Sequence, residues 1–421
     1  MRNKLTPTSR VILFLGCLFL AFLFLLLDDE LTAETKQLLE EPPTDKNNSS
    51  YFYLMGIMAS ENESPLEVGK NIYASIVASE EAYENKKAFT YIEYPENKRL
   101  PLPSGELFCS DWNNTCLATM FSKINSLNET ENATLLKRYL EFMEIPDFRN
   151  LSKPRPEEIY IPYQYIVKGS HAFLLKNIKI AADGNPKKAT SDLLKNITQT
   201  RKKMETADNL LFKVIYASIL SHTIDTVYVI NKKFKTSKKI KLDSLTADEM
   251  DFSAVFKREF TAYYNYFKYL DKNPHIFNEK DYYPPVIVRM VFKPNMTANG
   301  VSIYYSNLIK LSRSEPIDFT VETSRSREKQ KHSNSIRNFV GDRLVAVAPP
   351  NFDKFIARKY DLSIKIDLFN KTIHLSDDEI KKLEIHNPYY KRNEKLIIER
   401  YRACVSGPLE DINSIRCIPL I

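Results

Sequence analysis

Glycine is scarce in this chain, with 9 in 421 residues. Glycine supplies the left-handed backbone that tight turns need, so a fold made of many short strands is disfavoured and a mostly helical one is expected. The six histidines, His171, His222, His275, His332, His374 and His386, are scattered, and spacing puts no two on one helical face. No metal site and no cofactor are therefore expected. The Walker loop, the GxGxxG turn, the GxSxG nucleophile elbow and the HExxH helix are all missing. The one Ser-x-x-Lys, Ser326 to Lys329, sits in the most polar run of the chain, SRSREKQKHSNS, where nothing would desolvate the lysine. Charge is also modest. The formal net is +7, and Arg2, Lys4 and Arg10 precede the one long apolar run, which leaves +4 for the rest. That is too weak to point to nucleic acid. The distribution is uneven: residues 28–100 carry 15 acids and 7 bases.

The apolar run is VILFLGCLFLAFLFLLL, residues 11–27, without a charge or a proline. Its length in helix is about 26 Å, the short end of a membrane crossing. Basic residues precede it and Asp28, Asp29 and Glu30 follow, which orients the N-terminus to the cytoplasm. A signal peptide would have an apolar region of about 7–15 residues and a small-residue cleavage site. Here the run ends in LLLDDE. Cleavage at Cys17, as in a lipoprotein, would leave LFLAFLFLLL on the mature end and is discounted. The expected organisation is a cytoplasmic tail at 1–10, a transmembrane anchor at 11–27 and a polar, proline-containing tether at 28–50 that holds the remainder off the membrane.

Four of the five cysteines, Cys109, Cys116, Cys404 and Cys417, lie beyond the anchor, and an even number there reads as disulfides. Spacing favours Cys109–Cys116 and Cys404–Cys417, although three connectivities are formally possible. Loops of this length stabilise by about 2.5–3 kcal/mol each in the loop-entropy treatment. Neither pair has CxxC spacing, and neither loop holds a histidine, so zinc and redox sites are disfavoured. The stretch CSDWNNTC then reads as a stapled surface loop in an oxidising compartment. Its Trp112, the chain's one tryptophan, is either a contact residue or, the preferred reading, a lid folded onto the core.

Helical signals fill 51–270. YFYLMGIM (51–58) is a short apolar segment. Ser64-Pro65 opens a helix with an apolar stripe of Leu66, Gly69, Ile72, Tyr73, Ile76 and Val77. Further helices are expected at 133–143, at 171–197 as a pair joined at Asp183-Gly184-Asn185, at about 204–231 and at 251–270. The joined pair is similar to one tetratricopeptide unit, but only one is present, too few for a solenoid. NKKFKTSKKIK (231–241) reads as a solvated turn, with docking to anionic headgroups or polysaccharide as the rival. The second part, 271–421, carries helices at 294–312, with Asn295 as cap, and at 351–369. It ends in a small β-hairpin closed by Cys404–Cys417. The fold class expected is mainly α, with a multi-helix periplasmic domain, that C-terminal hairpin and a single N-terminal transmembrane helix.

Two charges break the apolar pattern. Glu259 lies on the stripe Phe252, Val255, Phe256, Phe260, Tyr263 and Phe267, and Lys213 interrupts LLFKVIY. A buried charge is costly unless paired, so the two could meet near Asp208 in a pocket fit for acid–base chemistry. A structural ion pair or snorkelling is the preferred alternative.

ADNLLFKVIYASIL, KREF, FKPNMTAN, NFVGDRL, ARKYDL, HNPYY and CVSGPLEDINSIRC together resemble an uncharacterised family of anchored envelope proteins from proteobacteria. No activity attaches to that family, so the resemblance carries over no functional residues. It implies a bacterial inner-membrane location with a periplasmic domain. Against this, ten N-x-S/T acceptors occur, among them Asn62, Asn128, Asn132 and Asn295, which leaves a eukaryotic luminal glycoprotein as the alternative. The expected function is that of a non-enzymatic envelope interaction or scaffold protein, with the bilayer and an envelope protein as partners. The rival is an envelope hydrolase or transferase with a Glu259/Lys213 site.

Overall fold

The computed structural model describes residues 6–40, 48–84, 91–109, 112, 114–146, 148–155, 159–236, 240–277, 284–325, 335–347, 350–399, 401–411 and 413–420. Its helices are α1 (Pro7–Leu26), α2 (Ala33–Leu39), α3 (Ser49–Met55), α4 (Pro65–Glu84), α5 (Asn114–Ser122) and α6 (Ala133–Glu144). Then come α7 (Tyr163–Ala182), α8 (Pro186–Thr206), α9 (Leu210–Phe234), α10 (Ala247–Met250), α11 (Ser253–Lys272) and α12 (Pro285–Val291). The last are α13 (Pro294–Ser312), α14 (Pro316–Ser324), α15 (Phe339–Val347), α16 (Asp353–Thr372) and α17 (Asp377–Lys381). Five short strands follow: β1 (Glu384–Asn387), β2 (Arg392–Lys395), β3 (Ile397–Glu399), β4 (Arg402–Cys404) and β5 (Cys417–Pro419). The chain is thus mainly helical with a small antiparallel β region at the C-terminus, as the glycine-poor sequence implied.

The centre is an up-down run of α7, α8 and α9. Gly184, at φ 94, makes the turn between α7 and α8, and the Asn185 side chain caps α8. The long helix expected at 204–231 is two. α8 ends at Thr206, and Asn209 accepts from the Leu211 and Phe212 amides to start α9 afresh. α9 is apolar enough to cross a membrane by composition, but two-thirds of it is buried, so it is the core helix. α16 packs along it, and so does β5. The boundary read at 270/271 falls inside α11, which packs on α13 from beyond it. α13 begins at Pro294, one residue before Asn295. That asparagine is therefore inside the first turn rather than its cap, because proline is suited to the first helical position.

α1 is 20 residues long with no buried residue. The segment after it is not a free spacer over its described part. The Asp28 carboxylate accepts from the Asn295 and Met296 amides, an anionic cap on α13. The Asn299 side chain holds the Glu30 carbonyl and the Thr32 amide, and α2 lies on α11 and α13. Arg337 donates to the Leu27 carbonyl and pairs with Asp29 at 3.1 Å. Among the sequons, Asn48, Asn132, Asn150 and Asn196 are buried, and the Asn370 side chain bridges the Leu242 backbone. Those five asparagines are engaged in the fold, whereas Asn62 and Asn128 are exposed. Ser326 and Lys329 lie outside the described residues.

Both disulfides join the pairs that spacing favoured, Cys109–Cys116 and Cys404–Cys417. The second joins residues directly opposite in the β4–β5 ladder. β3 adds an edge to that hairpin, and β1–β2 form a separate two-stranded ribbon; neither was anticipated.

α3 and α4 cross backbone to backbone. A Cβ on Gly69 would sit 1.7 Å from the Phe52 carbonyl oxygen, and one on Gly56 2.0 Å from that of Pro65. We expect Gly69→Ala to cost about 3 kcal/mol or more in urea unfolding of the full-length chain. Gly300→Ala, whose Cβ meets only a Val345 methyl at 3.5 Å, should be neutral or stabilise α13 by up to about 1 kcal/mol. Equal effects would contradict the close crossing.

Candidate functional site

Four residues far apart in sequence meet at one carboxylate. Asp225, in the apolar middle of α9, is 0 % exposed. Lys365 of α16, also fully buried, places its ammonium 2.7 Å from Asp225 Oδ1. Arg402 of β4 lies 3.6 Å from Oδ2, and Trp112 Nε1 donates to the same oxygen at 3.1 Å. Trp112 is thus folded down onto the core, the preferred of its two readings. Its indole stacks on the imidazole of His222 with centroids 4.1 Å apart, and the His171 ring lies 5.7 Å from Trp112 and 6.0 Å from His222. Two of the scattered histidines therefore come together, because α7 and α9 are packed side by side. Among the described residues no group of three metal-ligating side chains forms.

Burial dominates the electrostatics here. It lowers the Lys365 ammonium pKa, against the pull of Asp225. It lowers His171 to about 4, helped by Lys168. His222 is pushed well below its usual range by burial first and by His171, Lys365 and Arg402 after it. Both imidazoles are neutral at pH 7, and both ring nitrogens of His171 are buried without a hydrogen bond.

Arg402 also floors a cleft of about 1000 Å³. One wall is α5, with Leu117, Ala118 and Phe121, carried by the Cys109–Cys116 staple. A second is the end of α9, with Val229 and Lys233. The third is the three-stranded sheet, with Glu399, Tyr401, Cys404, Pro419 and Leu420. The lysine-rich stretch begins in the last turn of α9 and is partly built in: Lys232 donates to the Leu375 carbonyl, and Lys233 lies over the Phe121 ring at 5.4 Å. Tyr401 stands at the β3–β4 turn with φ 69 and 79 % exposure. A bulky residue in left-handed backbone costs of order 1–2 kcal/mol, and glycine or asparagine is usual in such turns. Beside it, Ile397 and Ile398 of the edge strand β3 are each 42 % exposed. The sequence pattern around Asp225, SHTIDTVYVI, carries a charge in an apolar run, the same signal that singled out Lys213, and it could have been read in the same way.

Lys213 and Glu259 are placed apart. Lys213 is buried, with its ammonium 3.4 Å from the Glu249 carbonyl and 5.7 Å from the Phe252 ring. Burial lowers it to about 8, while Asp251, Glu205 and Glu249 act the other way; Phe252, which its ammonium faces, is about 10 Å along α11 from Glu259. Glu259 is half-buried and faces Tyr263 and Tyr305. Asp208 accepts from the Asn150 amide near Arg258. The space beside Lys213 is about 10 Å³, too small for a substrate.

No protein-family model, no curated protein and no solved structure matches the chain.

Two lysine-to-methionine changes should move stability in opposite directions. Lys365→Met strands Asp225 and should cost about 3–5 kcal/mol. Lys213→Met removes a weakly held buried cation and should be neutral or stabilising; denaturant titration at pH 7 reads both. Acid should also act through His171. Its folded pKa, about 4, lies below the roughly 6.5 of the unfolded chain, so the unfolded state takes up protons first and stability falls as pH drops from 6.5 towards 4. The loss from this group between pH 7 and 5 is about 2 kcal/mol. Asp361, raised to about 6 by burial, opposes it, gaining stability as pH falls below 6. His171→Phe should remove the histidine part of the slope in a pH series of Tm values; an unchanged slope would contradict it.

Proposed function

We propose that the protein is a membrane-anchored, extracytoplasmic interaction protein that takes an extended segment of a partner protein into the cleft beside β3. It is not an enzyme in this reading. α1 is its transmembrane anchor, the N-terminus stays in the cytoplasm, and the disulfide-bonded body lies in the periplasm of a bacterium, in keeping with the resemblance to anchored envelope proteins. The observation that carries the reading is Tyr401, an aromatic side chain held outward in left-handed backbone at the mouth of a largely apolar cleft. Strain of this kind is retained where the residue is used, and tyrosine is a frequent anchor of protein interfaces.

The chemistry of capture follows from the lining. Sheet order β3-β4-β5 leaves β3 at the edge, with no strand on its outer side among the described residues. Its backbone can pair with an added strand, while Ile397 and Ile398 offer apolar contact on either face. Apolar side chains of the bound segment fill the space between Leu117, Phe121 and Pro419, and Lys233 and Glu399 at the rim set its polarity. Arg402 ties the floor to Asp225, so the cleft is a firm surface rather than a collapsible one.

The test uses a photo-crosslinking residue at Glu399 of the full-length protein in its native cells. We expect one discrete protein adduct that a probe at the exposed Asn128 does not give. In the same cells Tyr401→Asn should lose most of the adduct, with a Tm equal to or above that of the parent. No adduct above the Asn128 control, or one indifferent to Tyr401→Asn, would overturn the reading.

A further inference from the structure

The foot of α1 is surrounded by apolar side chains that the fold leaves uncovered. α12 packs against α1, and the 3₁₀ turn Ile336–Asn338 and α15 pack in turn on α12. On these three neighbours Ile336 is 81 % exposed, Phe339 51 %, Ile287 46 % and Val286 41 %. Scattered single apolar residues on a surface need no explanation, but a contiguous patch of large ones does. Two arginines accompany them. Arg289 of α12 lies 3.7 Å from the Asp271 carboxylate with its side chain more than half exposed, and the Arg343 guanidinium lies 5.3 Å over the Phe339 ring, an arrangement that places cation and aromatic on one face.

The position of the patch says what covers it. Arg337, next to Ile336 in the chain, donates to the Leu27 carbonyl at the last turn of α1 and sits 4.3 Å over the Phe24 ring. At its outer end α1 is half-covered at Leu25 and Leu26, while residues 10–24 are exposed throughout. On the reading of α1 as the anchor, this exposed apolar helix has lipid as its solvent, and its outer end lies at the headgroup layer. α12 and the Ile336–Phe339 turn are tied to that end.

We infer that α12, Ile336 and Phe339 form a second membrane contact, with Val286, Ile287, Ile336 and Phe339 seated among the upper acyl carbons and Arg289 and Arg343 on lipid phosphates. Amphipathic surfaces with aromatic and aliphatic residues on one side and arginine at the rim bind this layer. The body is then fixed on the bilayer at two points and cannot swing about α1. The inference rests on the reading of α1 as an inserted anchor, and the experiment separates the two.

The chain supplies one reporter itself. Cys17 is the free cysteine of α1, and the four cysteines outside it are in disulfides. Full-length protein labelled with the environment-sensitive dye NBD at Cys17, or at Ile336→Cys in a Cys17→Ser background, is reconstituted into vesicles of equal parts phosphatidylcholine and phosphatidylglycerol. Ile336 is exposed, so the label does not disturb the core. We expect the Cys17 label to be quenched by deeply spin-labelled lipid. The 336 label should lose most of its emission to shallowly spin-labelled lipid and resist aqueous iodide, while a label at the exposed Asn62 does the reverse. A 336 label open to iodide overturns the inference. So does one shielded from iodide but untouched by spin-labelled lipid, as at a contact between two copies. If in either case Cys17 stays quenched from within the bilayer, the anchor reading survives. A Cys17 label open to iodide overturns both.

Discussion

The whole assembly turns on a single carboxylate. At Asp225 the stapled loop, the core helix, the late helix α16 and the C-terminal sheet are joined by a hydrogen bond from Trp112 and by the charges of Lys365 and Arg402. A buried anion is tolerable only when it is compensated, and here the indole donates a hydrogen bond while the ammonium and the guanidinium lie close as opposite charges. The two disulfides sit on the outer members of this group, one on the loop bearing Trp112 and one on the strand bearing Arg402. Covalent bonds thus hold locally what the carboxylate joins globally, and the cleft lies between the two stapled parts.

Two kinds of buried cation are set apart by this arrangement. Lys365 meets its counter-charge at full burial. Lys213 and Lys359 instead rest on the carbonyls of Glu249 and Ser312, and burial lowers each to about 8. The first kind specifies which elements meet. The second fills space with a methylene stem and brings the charge to the nearest oxygen. That difference explains why a charge in an apolar run does not by itself mark a site: Lys213 and Asp225 look alike in sequence, and only one of them joins distant elements.

Much of the helical frame was legible because its signals are local. Pro65 at a first helical position, Gly184 at the α7–α8 turn, and the cysteine spacings each depend on residues a few places apart. The split at Asn209 is local too, but it was masked by the apolar residues on both sides of it, which continue one helical period across the break. What could not be read were contacts across long separations. The meeting of His171 with His222, the docking of residues 28–39 on α13, and the edge strand β3 are set by packing and ladder register, for which a single sequence holds no period to follow. The candidate site belongs wholly to this second class: Trp112 and Arg402 were visible as residues but not as neighbours.

The docked strap after α1 bears on the order in which the molecule is made. Asp28 emerges early, yet the Asn295 amide it caps is 267 residues further along, a delay on the order of 15–50 s at ordinary rates of synthesis. During that interval residues 28–39 have no α13 to dock on. Only when α13 and Arg337 have appeared can residues 28–39 be fastened, after α7, α8 and α9 have been made but before α16 and the C-terminal sheet complete the core.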